Sequence, residues 1–278
     1  MKNIQLSPLS LVAGSAATVG LLLLTGMQST STAEPLFTLT PEQAEILSHQ
    51  SIVYLDDGQG GTVKTLRISG INVQIVNGMG STETMNGLGN LTVGYNEMGN
   101  PDGDDRTGSH NIVGGWKNTH GAWGGLVVGS GNTVTGVFSS VSGGRTNTAS
   151  GLLSSVSGGR DNTASGASSS ISGRRLNTAS GNSSSVSGGL LNTASGYYSS
   201  VTGGWNNAAS GNTSSVSGGL NNMAINGGYY SYGASVSGGS NNTAGGDYYS
   251  SGASVSGGAN RTAPGDYDWV AGSLFEDN

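Results

Sequence analysis

Ser155-Val156-Ser157-Gly158-Gly159-Arg160-Asp161-Asn162-Thr163-Ala164-Ser165-Gly166, with the link Ala167-Ser168-Ser169, is one period of a pattern that recurs every fifteen residues from Val141 to Val216. The apolar slot reads Val141, Val156, Ile171, Val186, Val201 and Val216, and the small slot eight residues later reads Ala149, Ala164, Ala179, Ala194, Ala209 and Ala224. A fixed short period specifies a solenoid in which each repeat is one coil and packs on its neighbours. Alternation puts Val156 on one face and Ser155 and Ser157 on the other, and sets Ala164 apart from Thr163 and Ser165 in the same way. The expected fold is all-β: a parallel β-solenoid, or β-roll, of about fifteen residues per coil, with inward Val and Ala meeting across a thin core.

Corners in so short a coil need special backbone. Gly158-Gly159 and Gly166 are expected to supply positive φ. Arg174 replaces the second glycine in one coil, which points to the first glycine as the stricter requirement. Asn147, Asn162, Asn177, Asn192, Asn207, Asn222 and Asn242 precede the second strand at equivalent positions. They are expected to stack and to satisfy buried turn backbone. One Val and one Ala per coil is little apolar surface for fifteen ordered residues, which predicts further burial through self-association.

Outward from the regular part, residues 137–265, the pattern degenerates over 91–136, where Ile112 and Val127 stand fifteen residues apart and Asn118-Thr119 fits the Asn-Thr slot. After Val216 the apolar slot moves to Val236 and then Val255, with Tyr-rich inserts that read as turn extensions on one edge. Residues 266–278, with Trp269, Leu274 and Phe275, read as a C-terminal cap. Residues 34–90 are expected to hold a short helix at Thr40–Ser51, opened by a Thr cap and Pro, and strands including Leu66/Ile68 and Ile71/Val73/Ile75 that cover the open end.

Residues 1–33 read as a secretory signal: Lys2, an uncharged apolar run from Leu9 to Met27, and small residues Ser31 and Ala33 before Glu34. The alternative is an uncleaved anchor, the only membrane contact the sequence suggests. The expected location is extracytoplasmic, secreted or on the cell surface. There are 51 Gly and no Cys among 278 residues, so disulfides and thiolate metal sites are excluded. A net charge of −6 disfavours nucleic acid as a partner.

The Ser-Val-Ser-Gly-Gly-x-x-Asn-Thr-Ala-Ser-Gly unit, as at Ser140–Gly151, resembles the head repeats of YadA-like trimeric autotransporter adhesins over about half of the chain. The resemblance implies a left-handed parallel β-roll, trimerisation and a role in attachment. It is confined to the head repeats: no heptad stalk and no series of amphipathic membrane strands is seen.

Outward hydroxyls form ranks, among them Ser155/Ser157, Ser170/Ser172 and Ser185/Ser187, about 4.8 Å apart between coils and roughly 7 Å along a strand. Such a grid suits packing between copies, a glycan, or ordered water as on an ice-binding face. The dominance of Ser over Thr favours packing. Tyr197, Tyr198, Tyr229, Tyr230, Tyr232, Tyr248, Tyr249 and Tyr267 gather along the insert edge, suited to carbohydrate stacking or a protein interface. Arg145, Arg160 and Arg175 align at one corner, either as variation at a permissive turn or for an anionic partner. Asn100, Asp102, Asp104 and Asp105 are a weak calcium candidate beside the plainer reading of a solvated acidic loop. His49, His110 and His120 are scattered, no nucleophile-base pair recurs, and neither catalytic residues nor a cofactor is expected. The expected function is a structural or adhesive solenoid that meets itself, a matrix protein or a glycan. Ice binding and glycan processing by a β-helix enzyme are the competing readings.

Overall fold

A computed structural model describes residues 38–226, 231–248, 250–271 and 274–276. The expected signal segment, Tyr229, Tyr230 and Tyr249 lie outside these residues. The described residues divide into two compact units, the first ending at residue 72 and the second beginning at residue 73.

In the first unit, Thr40 caps the helix α1, Pro41–Ser48. Its hydroxyl accepts the Gln43 N–H at 3.2 Å and the Gln43 side chain accepts the Thr40 N–H at 2.9 Å, a reciprocal capping box with Pro41 at the first helical position. Strands β1, Gln50–Asp56, and β2, Thr62–Ile68, pair antiparallel with Gln50 opposite Ile68. The Asp57 carboxylate fixes the turn, accepting the N–H groups of Gln59 and Gly61 at 2.8 and 2.9 Å. This hairpin is a sheet of its own. The Ile71/Val73/Ile75 alternation forms no strand, contrary to expectation, and its side chains are exposed.

The second unit is the parallel β-solenoid. One sheet carries the first strand of each coil and the other carries the second, thirteen and ten strands respectively. Each regular strand is two residues long, as in Ser155–Val156 and Thr163–Ala164. Ser155 pairs with Ser170 and Val156 with Ile171, while Thr163 pairs with Thr178 and Ala164 with Ala179. The Val and Ala slots are sealed, at 0–1% exposure from Val141 to Ala224. The lengthened coils keep this register, with Val216 opposite Val236 and Val236 opposite Val255.

Two parts of the register differ from expectation. From Val113 to Val141 the step is fourteen residues, after a longer first coil that sets Thr92 opposite Val113: Val113 pairs with Val127 and is the inward residue, whereas Ile112 pairs with Leu126 and is half exposed. Within these strands Gly115 and Gly129 stand two residues past Val113 and Val127, whereas Gly144 stands three past Val141, so the coil closes one residue sooner. At the same end residues 73–90 form an irregular layer, held by Gly87 N–H to Thr107 O at 3.0 Å and Asn86 N–H to the Ser109 hydroxyl at 3.0 Å. At the other end Trp269–Ala271 pairs parallel with the preceding coil, with Val255 opposite Val270, and antiparallel with Leu274–Glu276. Trp269 is not folded over the last layer: it is 44% exposed and donates its indole N–H to the Ser256 hydroxyl at 2.7 Å.

The glycines divide differently from the sequence expectation. The second of each pair has positive φ, +84° at Gly144 and +89° at Gly159, and a Cβ there would overlap the next coil's carbonyl oxygen. The first of the pair is less crowded: a Cβ on Gly158 would meet nothing within 4 Å, although Gly218 and Gly238 at this position take φ +149°. The second glycine is therefore the stricter position, and Arg174 occupies it at φ +61°. Gly166 has no positive φ. It is glycine because its α-carbon lies against the Gly181 carbonyl of the next coil.

Candidate functional site

Inside the solenoid the polar chemistry is structural. The Asn177 N–H donates to Asn162 Oδ1 at 3.0 Å, and Asn177 Nδ2 donates to Gly173 O at 2.9 Å and Gly189 O at 2.8 Å. The same set repeats at Asn147, Asn162, Asn192, Asn207, Asn222 and Asn242, and continues back through Asn132 and Asn118 to Asn96. Recognition is left to the surface.

The insert edge lies between the second strand of one coil and the first strand of the next. There the backbone stacks Tyr197, Asn212 and Tyr232 on three successive coils, through Thr213 N–H to Tyr197 O at 2.7 Å and Gly233 N–H to Asn212 O at 3.1 Å. Tyr198 and Thr213 stand beside them at positive φ. Two tyrosines two coils apart, roughly 10 Å, with short polar side chains between them, wall a cavity of about 390 Å³ lined by Tyr197, Tyr198, Asn212, Thr213 and Tyr232. The Tyr197 and Tyr198 rings meet edge to face with centroids 4.7 Å apart, which holds both in place. Asn212 Oδ1 accepts the Tyr197 N–H at 3.2 Å, so its amide N–H₂ faces outward as a donor. No lining residue is charged. Of the other edge tyrosines, Tyr248 and Tyr267 are exposed and stand outside this cavity.

The hydroxyl ranks are two. Ser155, Ser170 and Ser185 are half-buried and in register, with Ser157, Ser172 and Ser187 more exposed beside them. On the second sheet Thr148, Thr163, Thr178 and Thr193 are in register over four coils.

The carboxylates of the acidic loop are engaged separately. Asp104 accepts the N–H groups of Gly99 and Asn100, and these backbone donors lower its pKa, the Asn100 N–H most. Asp105 takes the N–H and hydroxyl of Thr107, which lower its pKa likewise. Asp102 points to the Thr133 and Thr148 hydroxyls at 3.3 and 3.1 Å. The three carboxylates serve separate loop and strand contacts, and among the described residues no group of three or more ligating side chains converges.

A cavity of about 530 Å³ lies against residues 74–82 and holds one titratable side chain, His110. Its Nε2 accepts the Asn77 N–H at 3.3 Å and its Nδ1 lies 3.0 Å from Thr82 O, so both ring nitrogens tie the end layer to the first coil.

Several groups escaped the sequence reading. Ser139, Ser154, Ser169, Ser184, Ser199 and Ser214 fill a buried column; the signal was the Ala234 and Ala253 that replace them in longer coils. Asn206, Asn221, Asn241 and Asn260 form an exposed amide ladder at 2.9–3.1 Å, signalled by the Asn-Asn doublets. Asn212 and Thr213 complete the tyrosine cavity because they sit fifteen residues past Tyr197-Tyr198. No family model matches the chain, and no curated protein matches it.

Proposed function

We propose that the chain is a structural, adhesive β-solenoid that works outside the cytoplasm, in which the coils are a rigid scaffold and the tyrosine notch takes a neutral saccharide. The observation that carries this reading is the Tyr197-Asn212-Tyr232 column. Aromatic walls suit the apolar faces of a sugar ring, and the Asn212 amide, Thr213 hydroxyl and phenols suit its hydroxyls. The absence of charge in the lining favours an uncharged glycan over an acidic one at this notch. The likeness of the repeats to YadA-like heads supports attachment and self-association, the latter through the flat, uncharged Ser faces.

The test is a glycan array and titration with the purified full chain and with a Tyr197→Ser/Tyr232→Ser variant. Saccharide binding that is lost in the variant while the β-sheet circular dichroism is kept is the expected result. Binding by neither protein, or by both equally, overturns the assignment of the notch. Sedimentation addresses self-association: a folded, strict monomer counts against the head-like reading. One observation favours a second reading. The four-coil Thr148–Thr193 rank has the regular spacing that an ice-binding face needs, and thermal hysteresis abolished by Thr178→Tyr would select it.

A further inference from the structure

Between His120 and Asp247 the charged residues are Arg145, Arg160, Asp161, Arg174 and Arg175, four positive against one negative in a chain whose total is −6. The structure puts them all at one corner, on three successive coils. Arg145, Arg160 and Arg175 are paired residue to residue along the stack in a parallel ladder one residue wide, and Arg174 precedes Arg175 in the same turn. All four are exposed. Asp161 is their only counter-charge on these coils: its carboxylate lies 3.1 Å from Arg160 Nε and 3.4 Å from Arg175 Nε, and it accepts the Thr146 hydroxyl. Arg145 and Arg174 have no carboxylate partner among the described residues. Past Arg145 the acidic loop approaches: Asp102 accepts the Thr148 hydroxyl on the Arg145 coil at 3.1 Å, and Asp104 lies near Lys117, which lines a cavity with Arg145.

Like charges one coil apart repel, and a solenoid that carries no charge from Leu176 to Gly246 has no structural use for four of them in one place. We propose that this corner binds an acidic polysaccharide, with successive carboxylate or sulfate groups taken by Arg145, Arg160, Arg174 and Arg175. The guanidinium fork matches planar and tetrahedral oxyanions with paired hydrogen bonds. A line of charges stepped at about 4.8 Å suits a linear polyanion, and hydroxyls such as Ser157 and Thr163 flank the line on each coil for sugar contacts. The chain's overall negative charge works against duplex nucleic acid, whose charge density extends far beyond a three-coil patch. This inference goes beyond the tyrosine notch and does not depend on it, since the two lie on opposite edges of the coil.

The test is retention of the full chain at low salt on immobilised dextran sulfate and polygalacturonate, with uncharged dextran as the control. The expected result is salt-reversible binding to the charged polymers alone, weakened by roughly tenfold or more in Arg145→Ser/Arg160→Ser/Arg175→Ser. Asp161→Asn removes the internal counter-charge and is expected to tighten binding, a gain that a folding defect does not mimic. Unchanged binding by a folded triple variant overturns the proposal. If the triple variant loses its β-sheet spectrum, Asp161→Asn decides: unchanged or weaker binding overturns it. Equal binding to duplex DNA or to vesicles of anionic lipid overturns the assignment to a polysaccharide. Loss of notch binding by Tyr197→Ser/Tyr232→Ser, with polymer retention intact, separates the two sites.

Discussion

Asn162 Oδ1 accepts the backbone N–H of Asn177, one coil on, at 3.0 Å, and both residues are fully buried. This contact links the coils through side chain to backbone, so each amide fixes its own turn and the next. A corner that would otherwise bury several unsatisfied backbone groups becomes a continuous hydrogen-bonded spine.

Asn177→Ala is expected to be among the most damaging single changes in the regular coils. It orphans the Asn192 N–H and removes donors from the Gly173 and Gly189 carbonyls. At roughly 1–3 kcal/mol per orphaned buried group, thermal unfolding followed by circular dichroism should show a large drop. Asn206→Gly, in the exposed amide ladder, should cost less than about 1 kcal/mol because water replaces its partner and glycine keeps the left-handed backbone at φ +55°. Similar losses in the two variants would remove the spine's claim to a special role.

The glycines offer a paired test. Gly158→Ala places its methyl in open space and should leave the unfolding midpoint nearly unchanged, whereas Gly166→Ala drives a methyl into the Gly181 carbonyl. Because that oxygen belongs to backbone, the coils must part, and a loss of several kcal/mol is expected, of the size seen for overpacked cores and strained backbone. Chemical denaturation of the two variants side by side makes the comparison.

His120 pairs with Val134, and Val134 with Ala149, so an imidazole occupies the start of the buried small slot. Burial, aided by Arg106 and opposed by Asp105, holds its pKa below its ordinary 6.5. The unfolded chain therefore takes up a proton that the folded chain refuses. Stability contributed by the neutral ring is complete above pH 6.5 and is lost as pH falls from there through the lowered folded value. Thermal midpoints measured from pH 7.5 to 5 should decline in the parent and decline less in His120→Val. Parallel profiles would show that another group controls the transition.

The regular coils were legible because period, alternation and the Val/Ala slots all specify one geometry; Val156 and Ala164 could face only inward. The ends were harder to read. Ile112 and Val113 are both apolar and strand-forming, and the fourteen-residue step is set by where Gly115 and Gly129 let the coil close, a matter of three-dimensional fit. The glycine roles are not legible in the sequence, which shows that Gly166 recurs but not whether φ or the neighbouring carbonyl demands it. At the candidate sites, the tyrosine and arginine columns could be read from the register alone. Which tyrosines share a notch, and that Asp161 bridges two arginines, depended on the link conformations.

The buried serine column carries the last prediction. Ser184 is fully buried with an Oγ that has no hydrogen-bond partner, as are Ser154, Ser169 and Ser199, whereas Ser214 donates to Gly211 O at 2.6 Å. Ala234 and Ala253 hold the equivalent place in the longer coils, where Ser215 and Ser235 donate their N–H groups to the alanine carbonyls. A methyl therefore fits the slot, and Ser184→Ala removes a polar atom that the fold leaves unpaired. Its midpoint should equal or exceed the parent's, while Ser214→Ala should lose about 1 kcal/mol with its hydrogen bond. Ser184→Val tests the size of the slot, since two added methyl groups exceed the hydroxyl's volume between coils held about 4.8 Å apart. A clear loss in Ser184→Ala would mean that its hydroxyl turns to the Gly181 carbonyl in solution, as Ser214 does to Gly211.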